Sequence, residues 1–285
     1  MLRVHHRTAD VDGVRVAYRE SGPADGPVLL LLHGFPTSSH QFARLMDALG
    51  DTPYRLIAPD YPGFGRTETP AGFTYTFDRL ADIVEGFTDA LGLDRYALYV
   101  FDYGAPVGLR LAVRRPGRVT GLIVQNGNAY EEGLSDAARA FAGHRREVPG
   151  DEEKVRALFS PEGIRFQYEA GVADPALVSP DGRTLDVHYV GLPGRAQAQA
   201  DLAFDYSSNF ARYPAWQAWL RESGVPVLVV WGAGDPFFVP AGAKAYLRDA
   251  PEAEVHLLEG AGHFALETHL GEIVPLVEVF LAKLP

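Results

Sequence analysis

The sequence predicts an α/β protein with a mostly parallel, doubly wound sheet and a helical insertion. Short apolar segments of the length of a buried strand alternate with segments whose apolar residues recur at helical spacing. Because strand–helix–strand crossovers are right-handed, this alternation places successive strands parallel in one sheet. The alternation fails from residue 126 to about residue 212 and then resumes, and 285 residues suffice for one large core with such an insertion.

The first part of the chain carries most of the alternation. In chain order it predicts an edge strand at Val14–Tyr18, a buried strand at Pro27–Leu32, a helix with Phe42, Leu45, Met46 and Leu49 on one face, a strand at Tyr54–Ala58, a helix at Phe77–Leu91, a strand at Tyr96–Phe101, a helix from Gly104 to Arg114 and a strand at Val119–Gln125.

The insertion has charged helical patterns in place of apolar strands. Helices are predicted at Asp136–Arg146, Glu152–Leu158 and Ala196–Ala203, and a turn at Ser179–Gly182. The alternation then resumes with a strand at Val225–Trp231, a helix at Gly242–Arg248, a strand at Ala253–Leu258 and a closing helix at His269–Leu284. The predicted division is a core of residues 1–125 and 213–285 with a helical cap of residues 126–212.

Composition excludes several kinds of partner. The 37 acidic residues exceed the 26 basic ones, and the net charge of −11 disfavours binding to nucleic acid or an anionic membrane. The absence of cysteine rules out disulfides and thiolate metal sites and fits a cytoplasmic protein. Residues Met1–Arg7 lack the apolar core of a signal peptide, and no apolar run could span a bilayer. We expect no cofactor, metal or membrane, and a monomer or homodimer.

The joint after the strand at Tyr96–Phe101 carries the first candidate catalytic residue. Asp102 stands between this strand and a helix that opens with small residues, Gly104 among them. Such a joint is the setting of a nucleophile elbow, in which a sharp turn exposes one side chain. The alternative is a helix N-cap, a position that aspartate favours.

Chemically capable residues, Asp102 among them, follow several of the predicted strands. They are His33, Asp60, Asp102, Asp235 and His263. Because ligands of open α/β sheets bind outside the carboxyl ends of the strands, we expect these side chains to surround one site. Each has a structural alternative: Asp235 precedes a proline and could shape a turn, His263 could cap the last helix, and Asp60 could hold the loop that contains Gly63 and Gly65.

Together these residues resemble those of the α/β-hydrolase superfamily, whose nucleophile, acid and histidine follow one another in this order. The segments His33-Gly34-Phe35-Pro36, Asp102-Tyr103-Gly104 and Gly262-His263-Phe264, with Asp235, resemble the branch with an aspartate nucleophile, which contains epoxide hydrolases and haloalkane or haloacid dehalogenases. The resemblance implies the α/β-hydrolase fold, with Asp102 as nucleophile, His263 as base and Asp235 as its orienting acid. It also implies an oxyanion hole formed by the backbone N–H groups of Phe35 and Tyr103.

The chemistry of a carboxylate nucleophile favours the same substrates. A carboxylate is ionised at neutral pH and needs no base to attack an sp³ carbon of an epoxide or alkyl halide. The product is an alkyl-enzyme ester, which water activated by His263 then hydrolyses. We therefore expect a small apolar organic substrate.

The leaving group separates the two substrate classes. Epoxide hydrolases protonate the epoxide oxygen with two cap tyrosines, and Tyr206 in Phe204-Asp205-Tyr206-Ser207-Ser208-Asn209 resembles the second of these. Tyr168 is the first choice for the other, with Tyr130 and Tyr189 as rivals. The sequence thus favours an epoxide hydrolase, with a dehalogenase as the alternative. A protein of this fold that binds a small ligand without hydrolysis is a third hypothesis.

Overall fold

The computed structural model describes residues 4–285, and eight strands in this range form one sheet. The strands are β1 (His5–Val11), β2 (Val14–Ser21), β3 (Val28–Leu32), β4 (Arg55–Pro59), β5 (Tyr96–Phe101), β6 (Val119–Gln125), β7 (Val227–Gly232) and β8 (Glu254–Leu258). Their order in the sheet is β1-β2-β4-β3-β5-β6-β7-β8. β2 is antiparallel to β1 and to β4, and all other neighbours are parallel. The predicted mostly parallel sheet is confirmed.

Residues 4–285 form eleven α-helices and five short 3₁₀ segments. The α-helices are α1 (Ala43–Ala48), α2 (Phe77–Ala90), α3 (Gly104–Arg114), α4 (Asp136–Ala142), α5 (Asp151–Ala157), α6 (Pro161–Glu169), α7 (Pro180–Val190), α8 (Arg195–Asp205), α9 (Tyr213–Ser223), α10 (Pro240–Asp249) and α11 (Ala265–Leu281). Short 3₁₀ segments cover Ser39–Phe42, Pro116–Arg118, Glu131–Gly133, Pro175–Leu177 and Tyr206–Arg212.

Helices on both faces bury the central strands. α1 and α11 pack together in one layer, while α2, α3, α9 and α10 follow one another in a second layer. All residues of β3, β5 and β7 are consequently buried. Continuous apolar strands of this kind are typical of parallel sheets that are covered on both sides.

Three sequence predictions about elements are wrong. The strand at residues 14–21 is not an edge strand, because β1 pairs along its whole length. The edge strand β1 escaped prediction because its residues are mostly exposed and carry no apolar alternation. The segment Ser179–Gly182 is a helix start and not a turn: Ser179 Oγ accepts the Asp181 N–H at 3.2 Å and Pro180 takes the first helical position. The last helix begins at Ala265, and His269 only kinks it.

Six α-helices, α4 to α9, lie between β6 and β7, and we propose the stretch from α4 to α8 as a cap on the core. Buried polar contacts join the two parts. Asp186 of α7 bonds His40 Nε2 at 2.7 Å, and Gln199 of α8 donates to the Gly63 carbonyl at 2.9 Å. A Cβ added to Gly171 would lie 1.7 Å from the Gly234 carbonyl oxygen, so the two backbones touch. The cap helices therefore cover the carboxyl ends of the strands.

Candidate active site

Asp102 lies in the sharp turn between β5 and α3. Its φ of 49° falls in the left-handed region, which costs a residue other than glycine about 1–3 kcal/mol. Gly104 permits the turn, since a Cβ there would lie 2.0 Å from the Leu32 carbonyl oxygen. Gly34 leaves room for the aspartate itself, because its own Cβ would lie 2.5 Å from Asp102 Cβ. The backbone geometry is that of a nucleophile elbow.

The Asp102 carboxylate does not cap the helix. The N-cap position of α3 is occupied by Tyr103 and not by Asp102, and the Tyr103 side chain makes no capping hydrogen bond. Asp102 Oδ1 instead accepts the backbone N–H of Phe35 at 2.7 Å. The N-cap alternative is therefore wrong, and the carboxylate is held by the loop that follows β3.

His263 stands between two carboxylates. Its Nδ1 bonds Asp235 Oδ2 at 2.7 Å, and its Nε2 lies 3.8 Å from Asp102 Oδ2. A neutral imidazole that donates from Nδ1 leaves Nε2 unprotonated, which is the form that a general base requires. All three side chains are buried. The structure thus brings the three predicted residues together, with His263 between Asp102 and Asp235.

Asp235 both shapes a turn and orients the histidine, using a different oxygen for each. Its Oδ1 accepts the backbone N–H groups of Phe237 and Phe238 at 2.8 and 3.1 Å. Its Oδ2 accepts from His263 and, at 2.7 Å, from Asn126 Nδ2. The structural alternative for Asp235 is therefore confirmed, and its contact with His263 is compatible with the orienting role, which stays a prediction.

Asn126 is a residue of the site that the sequence reasoning missed. It has a φ of 41° directly after β6, and its Oδ1 accepts the Gly232 N–H at 3.0 Å. With its amide on Asp235, Asn126 fixes the carboxylate that fixes His263. Its position at a strand end on the same edge as Asp102 is the signal that could have found it.

The buried charges change one another's protonation. Burial raises the pKa of Asp102 to about 6, against the opposing effects of His263 and of the N–H groups of Phe35 and Tyr103. Burial by itself would lower the pKa of His263, but the charges of Asp235 and Asp102 and the Asp235 hydrogen bond raise it above the ordinary value. The site therefore holds an Asp102 carboxylate that is mostly ionised at neutral pH beside a histidine of increased basicity.

A cavity of about 310 Å³ opens onto these groups. Asp102, His263, Phe35 and Tyr103 line it from the core. The cap contributes mainly apolar side chains, among them Phe141, Leu158 and Phe166. Such a cavity suits a substrate that is mainly apolar.

The other two predicted strand-end residues support loops. His33 donates from Nδ1 to the Gly34 carbonyl, and its Nε2 accepts the Tyr61 N–H at 3.2 Å. Burial lowers the pKa of His33 to about 4, so this histidine is neutral. Asp60 accepts the N–H groups of Ser39 and Arg66 at 2.8 and 2.9 Å and so holds its loop, as the structural alternative required.

The candidate tyrosines separate into one that lines the cavity and three that do not. Tyr206 lines it. Tyr168 faces away: its hydroxyl donates to Asp186 Oδ2 at 2.6 Å and its ring stacks on Phe264 at 4.0 Å. The structure therefore does not place Tyr168 with the nucleophile.

The rival tyrosines and the tryptophans lie elsewhere. Tyr189 accepts a hydrogen bond from Arg66 in another cleft, and Tyr130 packs edge-on against Tyr246. No tryptophan of the described chain lines the cavity, and the Trp231 indole N–H donates to the Phe238 carbonyl instead.

Residues 4–285 contain neither a group of metal-ligating side chains nor a helix suited to span a membrane. No three histidine, aspartate or glutamate side chains of this range group as metal ligands do. Within the same range, no helix has both the length and the apolar character needed to cross a membrane.

Comparisons with known proteins agree with the fold. A family model described as the α/β-hydrolase fold matches residues 27–270. A Saccharomyces cerevisiae protein described as an uncharacterized hydrolase is 45% identical over 273 residues, which cover 93% of this chain and 92% of that protein. A haloalkane dehalogenase of Mycolicibacterium paratuberculosis is 31% identical over 90% of this chain and 84% of its own.

A solved structure extends the likeness to three dimensions. The crystal structure of an epoxide hydrolase from Vigna radiata superposes with a TM-score of 0.75, at 26% identity and 98% coverage of both chains. The family model spans most of the present chain, and the mostly parallel eight-stranded sheet accords with it. This chain belongs to the α/β-hydrolase fold family.

Proposed function

We propose that the protein is an epoxide hydrolase that acts through a covalent ester on Asp102, without a cofactor. One observation carries the proposal. A buried carboxylate in a strained turn has one oxygen on the Phe35 N–H and the other 3.8 Å from a histidine oriented by Asp235. An aspartate in that place can attack a carbon of a strained cyclic ether or an alkyl halide and so become alkylated. Its attack on an ester would instead give an anhydride, which reverts.

The first half-reaction forms the ester. Asp102 Oδ2 attacks an epoxide carbon, the C–O bond breaks, and the electron pair passes to the oxygen, which takes a proton from a donor in the cavity. Tyr206 supports this step, because its phenol lines the cavity. Burial raises the pKa of Tyr206 well above its usual range, so the phenol is protonated at every working pH.

The second half-reaction releases the diol. His263 Nε2 takes a proton from water, and the resulting hydroxide attacks the ester carbonyl carbon of Asp102. Asp235 holds the imidazole and stabilises the imidazolium. The Phe35 N–H meets the oxyanion that forms on Asp102, and the Tyr103 N–H is our proposed second donor; each donor contributes about 3 kcal/mol. Collapse of the intermediate restores the carboxylate.

A haloalkane dehalogenase is the second candidate, supported by the name of the 31% identical relative. The epoxide is favoured because a halide is stabilised by weak donors such as an indole N–H, and within the described chain no tryptophan lines the cavity. A ligand-binding protein without hydrolysis is disfavoured, since it has no use for a histidine held between two carboxylates.

The proposal is tested by trapping the ester. In His263→Gln, styrene oxide should alkylate the protein once, and peptide mapping should place the adduct on Asp102, because only the second half-reaction needs the base. Asp102→Ala is the matched control and should gain no mass. A parallel incubation with 1-bromohexane reads the dehalogenase alternative. Alkylation by the bromide alone would replace the epoxide proposal by that alternative, and alkylation by neither would remove Asp102 from the mechanism.

A further inference from the structure

The structure places Tyr168, the expected partner of Tyr206, away from the cavity, yet the phenol of another residue lies beside Tyr206. We propose that the side-chain hydroxyl of Tyr103, the residue after the proposed nucleophile, is the second hydrogen-bond donor to the epoxide oxygen, beside Tyr206. This inference rests on the proposed epoxide hydrolase activity. One residue would then contribute its backbone N–H to the ester oxyanion and its hydroxyl to the leaving oxygen.

Tyr103 and Tyr206 face each other across the wall of the same cavity. Both residues line it together with Asp102 and His263. Their ring centroids are 5.8 Å apart with an interplanar angle of 32°. One ring comes from the core at the start of α3 and the other from the 3₁₀ segment at the end of the cap, so core and cap each contribute one phenol to the lining of the cavity.

Neither hydroxyl is used by the protein. Among residues 4–285, no hydrogen-bond partner is found for the hydroxyl of Tyr103 or of Tyr206, in contrast to that of Tyr168, which is bound to Asp186. Unpaired hydroxyls that are fully enclosed do occur in this range, at Tyr61 and Tyr130, but the two cavity phenols are not among them. Both hydroxyls therefore keep accessible surface, and both residues line the cavity, so each phenol is available to donate to a ligand.

The two rings are positioned in advance. Phe77 packs edge-on against Tyr103 at 4.8 Å and against Tyr206 at 5.9 Å. Phe77 is itself fixed at the start of α2, where Asp205 accepts its N–H at 2.7 Å. The Phe35 ring lies 5.5 Å from Tyr103 on another side. Rings held by three aromatic neighbours present their hydroxyls with little loss of rotational freedom on binding.

Both phenols are donors and not bases. Burial raises the pKa of Tyr103 well above its usual range, and the Asp102 carboxylate raises it further. The same causes act on Tyr206. A donor near a carboxylate nucleophile suits an epoxide, in which negative charge leaves the nucleophile and appears on the oxygen during the same step.

The proton account closes over the two half-reactions. As Asp102 forms the C–O bond, the epoxide oxygen takes the proton of Tyr206 and accepts a hydrogen bond from Tyr103, which leaves a phenolate stabilised by the second phenol. In the second half-reaction water gives one proton to His263 and adds its OH to the ester carbonyl carbon; when the intermediate collapses, the released alkoxide takes the remaining proton and Asp102 returns to a carboxylate. The imidazolium proton then returns through water to the phenolate. The sum is one epoxide and one water consumed for one diol.

This arrangement also sets the substrate class. The epoxide oxygen lies against the Tyr103–Tyr206 pair, so the rest of the molecule extends toward Phe141, Leu158 and Phe166 of the cap. Those side chains offer an apolar surface. The site thus suits an epoxide that carries an aromatic or alkyl substituent.

The test measures ester formation in the His263→Gln background, where the adduct accumulates. With styrene oxide, Tyr103→Phe should slow alkylation of Asp102 about 10- to 100-fold, and Tyr206→Phe by at least as much; because the other phenol remains in each variant, the loss should lie at or below the lower end of the about 10²–10⁴-fold typical for loss of a general acid. The double variant should be slower than either single variant. Because the Tyr103 hydroxyl has no protein partner, its removal leaves no unpaired group and the variant should fold, which a thermal melt checks.

Tyr168→Phe is the matched control, since it removes a buried cap phenol that is committed to Asp186. It should leave the alkylation rate within about twofold of the parent. In an otherwise native enzyme, Tyr103→Phe should also leave ester hydrolysis unchanged, because the backbone N–H remains; a merely structural role would slow both half-reactions alike. A site-specific fluorotyrosine at position 103 keeps the shape, lowers the phenol pKa and should speed alkylation.

The outcomes separate the two proposals. Parental alkylation by Tyr103→Phe together with slow alkylation by Tyr206→Phe would overturn the role of Tyr103 and leave the epoxide hydrolase standing. A fluorotyrosine variant with the parental rate would count against it in the same way. If styrene oxide and 1,2-epoxyhexane both fail to alkylate the His263→Gln parent, the proposed function itself is wrong.

Discussion

Acidification should slow ester formation by an amount that the burial of Asp102 sets. Only the carboxylate attacks, and burial raises the pKa of Asp102 to about 6, with His263 and two backbone N–H groups opposing the increase. With that pKa the carboxylate is about 90% ionised at pH 7 and about 10% ionised at pH 5. The rate of alkylation should therefore fall about tenfold between these pH values, whereas an exposed aspartate would lose almost nothing.

The sign of the effect can be checked with His263→Gln. The histidine lowers the pKa of Asp102, so its removal should shift the midpoint of alkylation to a higher pH. Ester hydrolysis behaves differently, because it needs neutral His263. In the ester, Asp102 has lost its charge and no longer raises the pKa of His263, so this pKa is lower in the ester than in the free enzyme. The rate of ester hydrolysis should therefore reach its plateau at a lower pH than the pH at which His263 titrates in the free enzyme.

Rapid-quench mixing with styrene oxide between about pH 4.5 and pH 8, read by intact-protein mass spectrometry, gives both rates. The His263 titration in the free enzyme is followed by NMR of its ring protons. An alkylation rate that stays constant from pH 5 to pH 7 would refute the argument, since it would mean that burial does not disfavour the charge on Asp102. A midpoint that moves down in His263→Gln would refute the assigned interaction.

Two further predictions concern the groups that build the site. Asn126→Ala should slow ester hydrolysis about tenfold while sparing ester formation, and the orphaned Gly232 N–H should cost about 1–3 kcal/mol in a denaturant titration; equal slowing of both steps would argue against a role through Asp235. Gly104→Ala should destabilise by about 4 kcal/mol or more or prevent folding, because its Cβ would lie 2.0 Å from the Leu32 carbonyl oxygen, whereas Gly117→Ala, with open space around it, should be tolerated in the same expression and melting assays.

Much of the fold followed from local patterns. The continuous apolar runs of β3, β5 and β6 and the helical periodicity of α2 identified those elements nearly to the residue, because each is buried in the way its own pattern describes. The β1 edge strand was missed since pairing with β2 and not an apolar face defines it. Ser179–Gly182 misled because serine, proline, aspartate and glycine favour turns and helix starts alike, and only the chain that follows distinguishes them.

The sequence by itself determined the candidates for chemistry. Asp102, Asp235 and His263 each follow a strand, and parallel strands end at one edge of a sheet, so chain order alone brings them close. Their catalytic roles remain predictions, but the distances between them are those that the roles need.

Only the tertiary structure decided which tyrosines face the nucleophile. A side chain on a cap helix can point to the core, to another helix or to solvent, and its direction depends on packing between segments far apart in the chain. Tyr168 turned to Asp186, eighteen positions further on, while Tyr103 and Tyr206 met across 103 positions at the cavity wall. Asn126 likewise gained its place through Asp235, at a distance of 109 positions, because a hydrogen bond between loop ends leaves no periodic signal in either loop.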